Sequence, residues 1–228
     1  MSNRLRGSGA SGRVIALLGL ASLACVVLVV ARVARSHTTH YGFLPGNLVL
    51  AWIPLGLAIV AYLISRRRST LARLMIVPTA FVWLLFFPNA PYIVTDLVHL
   101  GDVHDNVPAW YDVMLITWFA WTGLLLGIVS LRVMQGIVAR SLGARAGWVM
   151  VVAVTALGSV GIYVGRFLRW NSWYAFSAPE TLAERTWYRA SQLDAPVRLL
   201  TFSLLFGLLF LFVYAAVDLL GRSEGPPP

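Results

Sequence analysis

Apolar side chains run almost without interruption through six stretches of the chain, at 14–33, 48–64, 71–87, 113–133, 148–164 and 199–217, and polar residues gather between them. A bilayer core of about 30 Å takes about 20 apolar residues wound as a helix, so each stretch predicts a membrane-spanning helix. The first stretch is too long for the apolar region of a signal peptide, which runs to roughly 15 residues. The expected fold is an all-α membrane protein, a bundle of about six transmembrane helices with a short interfacial or re-entrant helix after the third span. On this reading residues 1–13 are a flexible cytoplasmic segment, 14–220 the transmembrane domain and 221–228 a disordered cytoplasmic tail.

The third stretch ends in an unusual way, in "LLFFPNAPYIVTDLVHL", residues 84–100. Pro88 and Pro91 each remove a backbone donor and restrict the residue before them, so the helix is expected to stop near Phe87. Asn89 suits a helix cap, and Pro91 suits the first turn of a restarted helix. Wound as an α-helix, the restart brings Tyr92, Thr95, Asp96 and His99 to one narrow face, with apolar residues over the rest. That stripe is expected to turn inward.

Composition agrees with the pattern: the 228 residues are 59% hydrophobic and 12% charged, with a mean hydropathy of +0.77. The net charge of +9 comes from eighteen arginines and no lysine, set in short clusters beside the apolar stretches. Basic flanks of this kind set orientation and meet anionic headgroups, and need no nucleic acid to explain them. Eleven arginines fall on one side of the predicted membrane and seven on the other, five of these in one long loop. The richer side is expected to be cytoplasmic, which puts both termini inside and, in a bacterium, the protein in the plasma membrane. Seven of the nine acidic residues and all four histidines then lie outside. Cys25, the single cysteine, lies within the first stretch and is expected to act as a small hydrophobe.

A second motif, "YVGRFLRWNSWYAF" at 163–176, closes the fifth stretch. Arg166 and Arg169 are three apart, with Trp170 and Asn171 beside them. Planar guanidinium forks near indoles suit a phosphate or carboxylate at the membrane interface. Tyr92, Thr95, Arg166, Arg169 and Asn171 are therefore candidate ligand-binding residues, and Asp96 and His99 candidate acid/base groups. Asp96 and His99 are expected to meet Arg166 or Arg169, either as a site or as an ion pair fastening helix ends. Asp96, His99 and His104, with Asp102 and Asp105 nearby, also offer oxygen and imidazole ligands to a divalent metal.

"PNAPYIVTDLVHL", the nearby "PAWYD" and the later "YVGRFLRWNSW" together resemble a bacterial integral membrane family known as domain of unknown function 1361. The resemblance runs from about the third span through the loop after the fifth. It implies an integral membrane protein and no particular reaction. The leading expectation is an outward-facing polar site for an anionic lipid headgroup or lipid-linked substrate. A small-solute transporter and a non-catalytic membrane scaffold stay open beside it, as does the choice between enzyme and binder.

Overall fold

The computed structural model of the chain describes residues 2–67, 69–100, 106–167 and 195–223, with side chains at all of these except 2–11, 73, 195, 222 and 223. Every regular element among the described residues is helical: α1 (Ser2–Ser36), α2 (Phe43–Ser65), α3 (Thr70–Phe86), α4 (Asn89–Tyr92), a 3-10 stretch (Ile93–His99), α5 (Ala109–Leu142), α6 (Ala144–Phe167) and α7 (Ala195–Ser223). Six segments are long and apolar enough to cross a bilayer: Gly12–Ser36, Phe43–Ser65, Thr70–His99, Ala109–Leu142, Ala144–Phe167 and Pro196–Gly221. The six stretches expected from the sequence are these six.

Local chemistry sets the helix ends. Ser69 opens α3, its hydroxyl accepting from the Ala72 N–H at 3.2 Å. Gly143 alone connects α5 to α6, and it adopts φ +92°, a left-handed conformation that glycine enters without a steric penalty. At 17 residues α3 rises only about 26 Å, slightly short of a hydrocarbon core. The turn at Pro88 and the single helical turn of α4 carry the chain onward.

The chain divides into two compact units, Met1–Gly56 with Asn89–Val129, and Leu57–Pro88 with Ser130–Pro228. In the first, Leu44, Leu48, Ala51 and Leu55 line the buried face of α2, and Leu115, Ile116, Phe119 and Leu126 that of α5. Leu18, Cys25, Val29 and Arg32 form the buried row of α1, while Leu17, Leu20, Leu23, Val27 and Val30 are exposed. In lipid such exposed leucines and valines gain nothing by leaving the hydrocarbon, so close packing and hydrogen bonds must hold the helices together. Such bonds join α1 to its neighbours: Trp52 Nε1 donates to Ser22 Oγ at 3.0 Å, Cys25 Sγ lies 3.5 Å from Thr122 Oγ1, and Tyr111 Oη donates to the Leu28 carbonyl at 2.8 Å.

In the second unit Val151, Val154, Gly158 and Ile162 turn the buried face of α6 inward, and Phe210 and Tyr214 do the same for α7. Small residues allow the approach: a Cβ on Gly207 would lie 3.0 Å from Ser159 Oγ. Trp83 Nε1 donates to Ser130 Oγ at 2.8 Å, and Tyr214 Oη donates to Gln135 Oε1 at 2.6 Å. Asp218 pairs with Arg132 across 3.2 Å.

Candidate functional site

Glycines seat the interruption after α3. Within the second unit a Cβ on Gly158 would come 3.1 Å from the Phe87 ring, and one on Gly161 would come 2.8 Å from Pro88 Cγ. Within the first unit a Cβ on Gly123 would strike the Ala90 carbonyl oxygen at 2.6 Å and Ile93 Cδ1 at 2.9 Å. Real Cβ atoms do not tolerate such distances, so Gly123 is required where the restarted chain lies on α5.

Beyond Tyr92 the chain tightens into a 3-10 helix, and this alters which residues share a face. With three residues per turn, positions three apart eclipse one another. The expected stripe of Tyr92, Thr95, Asp96 and His99 therefore splits into two rows. Ile93, Asp96 and His99 form the inward row, Ile93 and Asp96 fully buried and His99 half-buried; Tyr92, Thr95 and Val98 form another, with Val98 exposed. Thr95 turns its hydroxyl back to the Tyr92 carbonyl at 2.7 Å.

Asp96 has 0% of its surface exposed, and Asn47, in the first turns of α2, donates from Nδ2 to its Oδ2 at 3.0 Å. His99 presents its backbone carbonyl to Tyr41 Oη at 3.3 Å, and its ring meets Phe43 edge-on with centroids 5.2 Å apart. The 3-10 row is thus fastened to the start of α2 through Asn47, Tyr41 and Phe43.

Tyr41 also touches a buried ion pair of this unit. The Arg32 guanidinium lies over the Tyr41 ring at 4.5 Å from its centroid. Arg32 forms a two-point fork with Asp112, Nε to Oδ1 at 2.7 Å and Nη2 to Oδ2 at 3.1 Å. Its Nη1 points to Thr38 Oγ1 at 3.3 Å and Ser36 Oγ at 3.5 Å. Arg32 is only 1% exposed, and Asp112 is buried beside it. The linker that brings Thr38 and Tyr41 into place turns at His37, whose φ of 57° is left-handed. Around this interior the side chains of Arg35, His37 and His40 are exposed.

Of the sequence candidates, His99 is tied to this cluster through Tyr41 and Asp96 to α2 through Asn47, while Tyr92 and Thr95 lie on the same short segment in its other row. Arg166 is half-buried in the last turn of α6, in the second unit. Arg169, Asn171 and His104, with Asp102 and Asp105, lie outside the described residues. Among the described residues no three histidine, cysteine, aspartate or glutamate side chains gather as a metal site would require. Sequence reasoning passed over Arg32, Tyr41, Asn47 and Asp112. A signal for Arg32 was present, since it continues the inward row of Leu18, Cys25 and Val29, and an ionisable group on such a row needs a partner.

Six membrane-length apolar helices define an integral, multi-pass membrane protein. The chain belongs to the family described as "Protein of unknown function (DUF1361)", whose model matches residues 47–213. No curated protein and no solved structure matches it.

Proposed function

We propose that the protein binds an anionic lipid headgroup, or a lipid-linked substrate that carries one, at the outward face of a bacterial plasma membrane, with both termini cytoplasmic. The observation that carries this reading is a separation of charge at one end of the first unit. Asp96 and Asp112 are buried against Asn47 and Arg32, whereas Arg35, His37 and His40 are exposed. A surface with its acids withdrawn and its bases presented attracts anionic headgroups. Trp110, 65% exposed in the first turn of α5, is of the type that settles at headgroup level. Arg166, Arg169 and Asn171 make up a second anion clamp on this reading.

The geometry favours binding over catalysis by Asp96. One of its carboxylate oxygens holds Asn47, and the group has no exposed surface through which a substrate would reach it. Asp96 and His99 serve here to brace the rim that carries the basic groups.

Thermal unfolding of the detergent-purified chain with added phosphatidylglycerol or phosphatidylcholine tests the reading. Phosphatidylglycerol is expected to raise the midpoint by several degrees more than phosphatidylcholine, and R35Q/H37Q/H40Q to lose a measurable part of that difference. Equal shifts with the two lipids, or a triple variant that responds like wild type, would overturn it.

A further inference from the structure

The other end of α2 carries a different arrangement, inside the second unit. Tyr62 lies in the last turn of α2, Arg66 just beyond it, and Arg140 in the last turn of α5. Arg66 lies 5.7 Å from the centroid of the Tyr62 ring and Arg140 5.3 Å from it. Arg66 Nη1 also donates to the Tyr62 hydroxyl oxygen at 3.1 Å. Two cations from separate elements thus share one aromatic ring, at a separation of no more than about a Debye length, roughly 10 Å.

Arg132, in contrast, has Asp218 as its partner. Asp218 is the one acid among the described residues of this unit, and among those residues neither Arg66 nor Arg140 pairs with a carboxylate. With Arg66 donating to its oxygen, the Tyr62 hydroxyl has its own proton to offer. Among the described residues, the groups that converge here all carry protons to donate: two guanidinium forks and a phenol. Such a group is completed by an anion with several acceptor oxygens.

We infer that Tyr62, Arg66 and Arg140 form a further binding site, for the phosphate of a phosphodiester or phosphate-ester ligand, at the membrane surface where α2 ends. The exposed Arg67, Ser141 and Arg145 leave the site open to headgroup level. An anionic phospholipid and a soluble phosphate ester present the same chemistry to it.

Native mass spectrometry of the full chain in mixed micelles, with phosphatidylglycerol and phosphatidylcholine at equal amounts, reads this site. Wild type is expected to retain phosphatidylglycerol preferentially, and R66Q/R140Q to lower that retention about thirtyfold, given the contribution of each arginine near a headgroup. R35Q/H37Q/H40Q is expected to keep the part that depends on Arg66 and Arg140, so failure of either proposal is seen separately. Loss of the retained lipid on adding glycerol phosphate assigns the site to a soluble ester, and persistence assigns it to lipid; each supports the phosphate chemistry. If the double variant does not fold, R140Q alone carries the test, with retention expected to fall about fivefold. A folded double variant, or a folded R140Q in its place, that retains phosphatidylglycerol as wild type does would overturn the inference.

Discussion

Arg32 shows how a single charge can be kept inside an apolar helix. A buried ion pair repays its desolvation only when the geometry is good and the remaining donors are satisfied. Here Asp112 takes two donors, Ser36 and Thr38 receive a third nitrogen, and the Tyr41 ring covers the guanidinium face. Removing one partner strands the other. Asp112→Asn and Arg32→Gln are each expected to destabilise the protein by about 3–5 kcal/mol, and Arg32→Met combined with Asp112→Leu to recover most of that loss. Unfolding of the four proteins in detergent gives the coupling directly, and additive single losses would show that the pair does not act as a unit. In the sequence Arg32 and Arg35 both stand at the end of the first apolar stretch. Burial separates them, since Arg32 lies on the inward row of α1 and Arg35 is exposed.

At the scale of elements, the two prolines are legible as a break because their effect is local and covalent. The shape of the restarted segment is not. An α-helical restart and a 3-10 restart satisfy the same residues, and the choice between them depends on what the segment lies against. Gly123 permits its close seat on α5, where the Ala90 carbonyl and Ile93 occupy the space a Cβ would need. Gly123→Ala is expected to cost about 1–3 kcal/mol by overpacking. Gly56→Ala meets no atom within 4 Å and is expected to be neutral or stabilising by a few tenths of a kcal/mol up to about 1 kcal/mol. Thermal unfolding of the two variants side by side checks the contrast; equal effects would mean that Gly123 tolerates a side chain. The close neighbour of Gly123 is the interruption after α3.

Over the whole chain, orientation decides which compartment the Arg32 cluster meets. The lone Cys25 makes the question accessible, because Cys25→Ala gives a background free of thiols. In that background His37→Cys is expected to react with a membrane-impermeant maleimide in intact cells, and Ser141→Cys only after permeabilisation. The opposite pattern would invert the topology and move the proposed headgroup site to the cytoplasmic face. The number of spans, their places along the chain and the stop at Pro88 are determined by the sequence alone, because hydrocarbon solvation and the missing donor of proline depend on composition and covalent structure rather than on neighbours. Asp96 and His99 were legible as candidates for the same reason, as ionisable groups at the edge of an apolar segment. Only the tertiary structure decided that Asp112 belongs to Arg32 and Asn47 to Asp96, and that Tyr41 reaches from Arg32 to His99. Those residues lie 80, 49 and 58 positions apart along the chain. Pairings at such separations are set by which helix faces meet, and hydropathy periodicity carries no record of that.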